Sequence, residues 1–577
     1  MKLPKLNELP TSRSMIDVFR GYNHNLRISD GEFFDMKNLT SSDYPVLSPR
    51  PKRGVYANPG NPQGLIAKDS LCYVDGGDFI INDYRVSMGL SDEPKTLVSM
   101  GAYVIIMPDK MYINTENLSD FGKIEASVQT NNTVSFELCK LDGTGYGDTV
   151  VQDTAPTEPK NLDLWIDTSG TPHTLKQYSE ANAMWIAIAT TYIKITSPGI
   201  GKPFSENDGI TISGIVDKSL LDLNNTMVIW AKGDDYIVVT GILDKVTTQD
   251  EPITLERKMP NLDFVIESEN RLWGCRYGVA LNGEVVNEIY ASKLGDFKNW
   301  NCFAGISTDS YVASVGTDGQ FTGAITHLGY PLFFKENCMH KVYGNYPANY
   351  QIQTTTCRGV QKGCSKSLAI VNEVLYYKSR SAVCAYDGSL PAEISSGLGD
   401  VAYSNAVAGT LGNKYYVSMQ DMNETYHLFV YDTKKGMWHR EDNTHARDFC
   451  TCRGDLYYID NADNKIKTVL GTGTKDTSDV KWMAETGIIG TDSPDKKYIS
   501  RLDIRLSISL GTRVYIFIQY DSSGEWEHKF TMTGRKLGSF SVPIRPRRCD
   551  HLRLRIEGDG EAKIYSICKT IEQGSSV

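Results

Sequence analysis

Two neighbouring stretches in the middle of the chain combine the residue types from which catalytic sites are built. They read ENRLWGCRYG, residues 269–278, and NEIYASKLGDFKNW, residues 287–300. Carboxylates such as Glu288 and Asp296 can act as acids or bases, and Arg271 can bind a negative group. The alternative is a rigid scaffold, in which the charged groups cap turns and the aromatic side chains pack.

Glycan cleavage is one chemistry that such carboxylates could perform. Glycosidases place two carboxyl groups about 5 to 10 Å apart on either side of the bond that they cleave. On a propeller these groups would lie at the central channel. The candidates are Asp263, Glu267, Glu288 and Asp309. With 70 acidic residues in the chain, such candidates arise by number alone.

Other catalytic and metal-binding motifs are not matched. The chain has no G-x-S-x-G turn and no HExxH, and its GTGTKDT stretch has the wrong spacing for a phosphate loop. Cys450 and Cys452 lack a partner pair of ligands, and the DNADNK run at Asp460 lacks the glycine and distal glutamate of a calcium loop. We therefore predict no catalytic residue, no metal ligand and no cofactor.

Composition favours an all-β protein of several domains. The chain has 577 residues, 32 of them Tyr and 50 Gly, and long amphipathic helical patterns are nearly absent. The net charge of −10 argues against a general nucleic-acid binder. We expect free thiols, because the twelve cysteines form no CxxC pair. No apolar run has the length of a signal peptide or a membrane span, so we expect no membrane segment.

A repeated unit of short strands runs through much of the chain. Each unit has a strand, a turn, an aromatic-rich second strand and a further strand, as in SLAIVNEVLYYKSRSAVCAYDG. Units begin at Val265, Gly323, Ser367, Val407 and Asp448, which gives spacings of 58, 44, 40 and 41 residues. A period of about 40 to 50 residues is typical of a β-propeller, whereas stacked β-sandwiches would show no regular return.

This repeat assigns roles to the opening stretches that need no catalysis. In NRLWGCRYG, Trp273 can anchor between blades while Gly274 and Gly278 turn the chain. In KLGDFKNW, Asp296 can cap the loop and Trp300 can pack. The scaffold interpretation is therefore favoured over the catalytic one.

Domain boundaries follow from changes in the pattern. Residues 55–125 and 263–480 are predicted to form the propeller blades, and 126–262 an inserted β domain. Residues 481–577 are predicted to form an antiparallel β-sandwich, because Leu502 to Leu510 alternate strictly with polar residues. Residues 1–54 are predicted to be an extended arm whose apolar anchors pack on a neighbouring domain or subunit, so that deleting 1–40 would leave a folded monomer. Its candidate interface residues are Phe19, Phe33 and Phe34.

A basic strip near the end of the chain is a further candidate interface. The stretch RPRRCDHLRLR holds Arg545, Arg547 and Arg548, followed by Arg553 and Arg555. The strip is either a solvated outer face of the sandwich, or a surface that docks on an acidic neighbour or lines a passage near DNA.

The amino-acid sequence resembles the sequences of a family of bacteriophage virion structural proteins. The phrases NEIYASKLGDFKNW, RGVQKGCSKSLAIVNEVLYYKS and the ending RPRRCDHLRLRIEGDGEAKIYSICKTIEQGS carry the resemblance. The layout is more distantly similar to the β-propeller tail nozzle (tail-hub) proteins of short-tailed phages, which assemble as a ring below the portal. The inserted domain and the C-terminal sandwich depart from that layout.

The resemblance implies a non-enzymatic structural protein of the virion, in the tail or the head-tail connection. Its partners would be further copies in a homo-oligomeric ring, portal, adaptor or other tail proteins, and passing genomic DNA without sequence-specific binding. It would reside in the virion and, during assembly, in the host cytoplasm. The alternatives are a receptor-binding, baseplate or capsid-decorating virion protein that contacts host glycan, and a glycan-cleaving propeller enzyme.

Overall fold

The computed structural model describes residues 11–279, 283–491 and 495–573. Almost all regular structure in these ranges is β-strand, which confirms the predicted all-β class. The helical elements described are single 3-10 turns. They are Glu180–Asn182, Leu221–Leu223, Pro347–Asn349, Ser365–Ser367 and Ser396–Leu398.

The N-terminal segment forms strands inside the molecule. Its first strand pairs with residues 562–573, and its third pairs with residues 481–486. The strands of this segment are β1 (Thr11–Ile16), β2 (Gly21–Tyr22), β3 (Glu32–Lys37), β4 (Leu39–Thr40) and β5 (Ser48–Pro49).

The two predicted alternatives for the arm were packing on a neighbouring domain and packing on another subunit, and the placement of Phe19 and Phe33 agrees with the first. Phe19 and Phe33 are 4% and 2% exposed, and their rings stack with centroids 5.9 Å apart. Both belong to the core of this chain and are not available to another subunit. Phe34 is half-buried, with its ring against His24 and the Arg553 guanidinium. Deleting residues 1–40 would remove β1, β2 and β3 from the twelve-stranded sheet, and β4 as well, so we expect the truncated monomer to be less stable than the sequence alone suggested.

The propeller begins directly after this segment. Its first two sheets are four-stranded and antiparallel, with the first strand of one against the first strand of the next. They follow a short strand that belongs to the last blade. The strands are β6 (Gly54–Ala57), then β7 (Pro62–Ala67), β8 (Leu71–Asp75), β9 (Asp78–Ile81) and β10 (Tyr84–Ser87) in blade 1, and β11 (Thr96–Met100), β12 (Tyr103–Met107), β13 (Met111–Asn114) and β14 (Phe121–Lys123) in blade 2.

An inserted β domain separates blade 2 from blade 3. Two of its sheets enclose a core of isoleucines, leucines and valines, and a smaller sheet lies beside them. Buried Arg257 pairs with Asp208, and Asp208 accepts a hydrogen bond from Asn299 of blade 3 at 2.8 Å, which ties the domain to the propeller. The strands are β15 (Ala126–Gln129), β16 (Val134–Cys139), β17 (Thr149–Gln152), β18 (Leu164–Asp167), β19 (Thr174–Ser179), β20 (Met184–Ala187), β21 (Tyr192–Thr196), β22 (Gly209–Ser213), β23 (Thr226–Val228), β24 (Ala231–Lys232), β25 (Tyr236–Thr240), β26 (Thr247–Gln249) and β27 (Thr254–Arg257).

The remaining blades follow the predicted repeat. Tight two-residue turns with positive φ join first and second strands, as at Glu269–Asn270 and Asn372–Glu373, which is the geometry of hairpins with matching twist. The strands are β28 (Phe264–Ser268), β29 (Arg271–Val279), β30 (Val285–Ala291) and β31 (Tyr311–Ser314) in blade 3; β32 (Gly323–His327), β33 (Tyr330–Phe334), β34 (Cys338–Tyr343) and β35 (Gln351–Thr356) in blade 4; β36 (Ala369–Val371), β37 (Val374–Lys378), β38 (Val383–Tyr386) and β39 (Ala392–Glu393) in blade 5; β40 (Ser404–Leu411), β41 (Lys414–Gln420), β42 (Tyr426–Asp432) and β43 (Met437–Arg440) in blade 6; and β44 (Ala446–Cys452), β45 (Asp455–Asp460), β46 (Ile466–Thr468) and β47 (Thr474–Lys475) in blade 7.

The blades close into a ring. In the described ranges, the first strand of each blade contacts the first strand of the next one. At blade 5 the contact with blade 4 is made by the turn that precedes β36. The first strand of blade 7, β44, contacts the first strand of blade 1, β7. Blade 7 is completed by β6, which pairs with β46 and β47 and so joins the two ends of the propeller segment. Ring closure leaves no open sheet edge between the first and last blades.

The C-terminal strands are antiparallel, and the twelve-stranded sheet that contains them also includes β1, β2, β3 and the four strands of blade 6, so the predicted β-sandwich is not separate from the rest of the chain. Leu502, Ile504, Leu506 and Ile508 are buried as their alternation predicts. Leu510 is 97% exposed, because the long strand β49 bends between Ile508 and Arg513 and the alternation ends there. The strands are β48 (Lys481–Thr486), β49 (Lys497–Tyr520), β50 (Glu527–Val542), β51 (Leu552–Asp559) and β52 (Ala562–Gln573).

Candidate functional site

Arg271, from the stretch that first suggested chemistry, has a structural role. Its side chain is 1% exposed and donates hydrogen bonds to the backbone carbonyls of Ser292, Ser307 and Asp309 at 2.8, 2.9 and 2.6 Å. These contacts fix the long loop between β30 and β31. Burial lowers the pKa of the Arg271 guanidinium. No ligand could reach this side chain without displacing the loop.

The other residues of the two stretches also serve the fold. Asp296 accepts the backbone N–H of Lys298 at 2.9 Å and a bond from the Asn299 amide. Trp300 is buried with its indole N–H on the Phe297 carbonyl, and Trp273 lies in the core between blades 3 and 4. The structure does not bring Arg271, Glu288 and Asp296 together in one site.

One of the four candidate carboxylates from the sequence lies at a cleft. Glu267 accepts the N–H of Asn270, and Asp309 accepts the N–H groups of Gly305 and Ile306, so both hold turns. Glu288 accepts a hydrogen bond from the Tyr290 hydroxyl. Asp263 precedes the first strand of blade 3 and lines a cleft of about 350 Å³. The surrounding protein raises the pKa of Asp263, mainly by desolvation.

A larger cleft, lined by both polar and apolar side chains, opens at the same end of the propeller axis. It has a volume of about 420 Å³ and lies where the chain enters the first strands of several blades. The two clefts meet at Gly363, so together they surround the axis at this face. We call the larger one the axial cleft. Its lining residues that carry charged or aromatic groups are Asp92, Glu93, Lys366, Tyr426, His445, Arg447 and Asp448.

Asp448 is the most firmly held carboxylate of the axial cleft. Its Oδ2 lies 3.2 Å from the Lys366 ammonium and accepts the N–H of Leu65 at 3.2 Å, while its Oδ1 accepts the N–H of Phe449 at 3.0 Å. Leu65 belongs to blade 1, Lys366 precedes blade 5 and Asp448 belongs to blade 7. The carboxylate is therefore fixed at the axis by contacts from three blades.

Asp92 and Glu93 enter the cleft from the segment before blade 2. Asp92 accepts hydrogen bonds from the side-chain amides of Asn61 and Gln63. Glu93 is exposed and makes no hydrogen bond or ion pair with any residue that the structure describes. The cleft thus combines one fixed carboxylate, Asp448, with one that is free to rotate, Glu93.

An aromatic surface borders these carboxylates. The Tyr426 and His445 rings stack with centroids 3.5 Å apart and planes 8° apart. Burial lowers the pKa of His445, so the imidazole is neutral near pH 7 and adds no charge to the cleft. A flat aromatic face with polar edges can bind the apolar face of a ring-shaped polar ligand while carboxylates bind its hydroxyl groups.

A bigger cleft on the flank of the molecule is a weaker candidate. It has a volume of about 760 Å³ and lies between blade 7 and the C-terminal strands. Many of its charged groups are paired with each other: Arg53 with Asp442 at 2.9 Å, and Lys467 with Asp460 at 2.7 Å. The Arg53–Asp442 pair joins the segment before blade 7's strand β6 to the loop after blade 6, so we interpret the cleft as a structural junction.

The basic strip of the sequence is divided by the structure. Arg545, Arg547 and Arg548 are exposed in the segment that follows β50. Arg553 and Arg555 instead pair with Glu485 at 3.0 and 2.8 Å, and lie over the rings of Phe34 and Trp526. The last two arginines therefore belong to the packing of the C-terminal domain.

The ranges that the structure describes contain neither a metal-binding cluster nor a membrane-spanning helix. Across residues 11–279, 283–491 and 495–573, no group of three or more His, Cys, Asp or Glu side chains is arranged to hold a metal ion. No helix in those ranges is long and apolar enough to cross a bilayer.

The sequence did not mark Asp92, Glu93 or Asp448 as site residues, although Asp448 was noted as a repeat start. Asp92 and Glu93 lie more than 350 residues before Asp448, and no local motif connects them. A signal was present in the repeat, because each of them stands at or just before the first strand of a unit. In a propeller those positions converge at one end of the axis.

Comparisons with known proteins give a fold but no family. No protein-family model matches the chain, and no curated protein matches it. Among solved structures, the chain is similar to an exo-β-1,3-galactanase from Phanerochaete chrysosporium, with 8% identity over 53% of this chain and 94% of that one, at a TM-score of 0.22.

Two further structures extend this result. The Trypanosoma rangeli sialidase shares 9% identity over 99% of this chain and 97% of that one, with a TM-score of 0.22. Apo AztD from Citrobacter koseri shares 9% identity over 72% and 94%, with a TM-score of 0.27. At these identities and scores the similarity concerns the β-propeller fold alone.

These findings correct the predicted function. The chain was expected to be a non-enzymatic virion structural protein, yet the structures similar to it include a galactanase and a sialidase, and none of the three is a virion protein. The comparisons contradict the prediction of a non-enzymatic protein, but the similarity in fold does not itself assign an activity. That prediction rested on the sequence resemblance together with the scaffold roles of residues 269–300.

Proposed function

We propose that the protein binds a glycan in the axial cleft and cleaves a glycosidic bond there. The observation that carries this proposal is the convergence of Asp448 and Glu93 on one cleft beside the stacked Tyr426 and His445 rings. A cleft of about 420 Å³ accommodates a small number of sugar rings. The aromatic stack would support a sugar face, and the polar lining would bind its hydroxyl groups.

The two carboxyl groups suit different roles in glycoside hydrolysis. Such enzymes use one carboxylate as base or nucleophile and one carboxylic acid that protonates the leaving oxygen. Asp448, fixed by Lys366 and two backbone N–H groups, suits the first role. Glu93, exposed and with no partner among the described residues, can turn toward a bound sugar and is assigned the second role.

The test measures glycan cleavage and glycan binding separately. Purified protein is incubated with a panel of neutral and acidic polysaccharides, and new reducing ends are quantified. We expect Asp448→Asn and Glu93→Gln to abolish cleavage of the substrate found, while Asp448→Asn still binds it. Glu267→Gln, which removes a carboxylate that holds a turn outside the cleft, is the control and should keep full activity. If no polysaccharide is bound or cleaved by the wild-type protein, the proposal is wrong.

The virion location implied by the sequence resemblance is a separate proposal. A virion protein that contacts a host glycan, one of the alternatives above, would need a glycan-binding cleft of this kind. Antibody labelling of intact virions checks the location independently of any activity.

A further inference from the structure

The outer face of the C-terminal domain carries arginines that the axial cleft does not use. Arg501 and Arg505 lie on β49 and are exposed, because they alternate with the buried Leu502, Ile504 and Leu506. Asp503 lies between them on the same face. Side chains two residues apart on a strand point the same way, so these three form one row.

The N-terminal strand adds another arginine to this face. In the register of the sheet, Arg13 on β1 is opposite Thr570, and Thr570 is opposite Arg501. Cross-strand partners share a face, and two strand spacings separate the Arg13 and Arg501 backbones by about 10 Å. The Arg13 Nε donates a hydrogen bond to the Cys568 Sγ at 3.3 Å, which ties the side chain to strand β52.

The exposed half of the basic strip continues the same surface. The segment with Arg545, Arg547 and Arg548 leaves β50 at Val542, which is opposite Leu502, and ends at Cys549, which bridges to Lys497. It therefore runs beside the start of β49. We call the surface the arginine face; its members are Arg13, Arg501, Arg505, Arg545, Arg547 and Arg548.

The acidic groups on and beside this face are already engaged. Asp503 pairs with Arg501 at 2.8 Å and accepts a bond from Ser541, and Glu572 accepts the Tyr498 hydroxyl. Glu527 pairs with Lys529 and with Arg547. Arg13, Arg505, Arg545 and Arg548 make no ion pair with any residue in the described ranges. A strongly positive face thus stands on a chain whose net charge is −10.

We propose that the arginine face binds an acidic polysaccharide, a sugar polymer with carboxylate groups along its length. The choice of a sugar polymer rests on the proposed glycan function of the axial cleft. Guanidinium groups form paired hydrogen bonds with carboxylates, and a flat sheet face suits an extended chain better than a pocket does. Duplex DNA, which carries one charge per about 1.7 Å, is the competing polyanion and is included in the test.

Affinity electrophoresis through gels that contain polygalacturonate tests the proposal. We expect retardation at low salt, little retardation in neutral dextran, and loss of retardation at about 0.5 M NaCl, where charges are screened within a few Å. Arg501→Ser with Arg505→Ser should lower the affinity for polygalacturonate at least about tenfold. Arg501→Lys with Arg505→Lys keeps the charge without the planar donor pair and should bind with intermediate affinity.

The matched control removes two exposed arginines from the propeller, Arg85→Ser with Arg358→Ser, and should bind polygalacturonate like the wild type. Thermal melts verify that each variant is folded. The proposal is overturned if the control loses as much affinity as the Arg501/Arg505 variant, if polygalacturonate does not bind, or if a short DNA duplex binds more tightly. Asp448→Asn should keep this binding, so failure of glycan cleavage and failure of the arginine face give different results.

Discussion

The Lys366 ammonium lies 3.2 Å from the Asp448 carboxylate. This ion pair links the start of blade 5 with blade 7, although blade 6 stands between them in the order of the ring. Asp448 also accepts the N–H of Leu65 in blade 1. One side chain therefore helps to hold the ring together at its axis and stands in the cleft where we propose glycan cleavage.

Replacing Lys366 should separate these two roles. Its side chain is 34% exposed, and an ion pair of that exposure contributes less than about 1 kcal/mol to stability. We therefore expect Lys366→Ala to change the melting temperature little and to weaken glycan cleavage strongly, because Asp448 loses the contact that orients it. Lys52→Ala is the matched control, since Lys52 pairs with Asp479 at 3.0 Å with similar exposure, outside the axial cleft. Equal effects of the two variants on cleavage would contradict the prediction.

Phe33 should be a core residue of the single chain. Removing a buried phenylalanine ring costs about 3–5 kcal/mol, so Phe33→Ala should lower the melting temperature of the C-terminal domain. Phe34→Ala, at the half-buried neighbouring position, should cost clearly less. Differential scanning calorimetry compares the two. A Phe33→Ala protein that melts normally but associates differently would restore the interface interpretation.

Arg271 should stabilise blade 3 through its carbonyl contacts. Arg271→Met leaves the carbonyls of Ser292, Ser307 and Asp309 without their donor and should destabilise the blade by at least about 3 kcal/mol. Arg276→Met, on the same strand but half-buried, is the control. Hydrogen exchange of residues 292–310 reports the effect locally. Unchanged protection of this loop in Arg271→Met would refute the assigned role.

His340 should make the protein sensitive to mild acid. Burial, together with the nearby Lys335 charge, lowers the pKa of His340 to about 4, and its ring nitrogens contact the Thr317 and Thr354 hydroxyls. At a pH between about 4 and 6.5, His340 carries a proton in the unfolded chain but not in the folded protein. The free energy of unfolding therefore falls as the pH drops from about 6.5 to about 4. The loss is at most about 3 kcal/mol.

Melting curves of His340→Gln across this pH range should show a shallower decline than those of the wild type. His528→Gln, at an exposed position, is the control and should follow the wild type. Parallel curves for wild type and His340→Gln would show that His340 does not cause the acid sensitivity.

The propeller could be predicted because the sequence signals of a blade lie within the blade itself. Starts predicted at Gly323 and Ser367 lie within two residues of the observed first strands, since turn residues and aromatic strands recur within each blade. The N-terminal segment could not be placed in the same way. Its strands β1 and β3 pair with partners more than 400 residues away, and a short strand carries no signal of its distant partner.

The candidate site was harder to predict than the fold. Asp263 was one of four carboxylates named as candidates, but no sequence signal separated it from the other three, and Asp448 and Glu93 come together only when the ring closes. The exposure of Leu510 was also not predictable from the alternation of apolar and polar residues. Leu510 continues the apolar pattern in sequence, yet the bend of β49 turns it to solvent.

The pairing of β3 with β48 also sets an order of events during synthesis. A ribosome adds about 5–20 residues per second, so β3 leaves it on the order of half a minute before β48 exists. During that time the apolar side chains of the N-terminal segment have no partner strand. They are shielded from solvent only by chaperones or by the propeller blades that have already been synthesised. Translation speed across the blades is therefore expected to influence the yield of correctly folded protein, independently of its final stability.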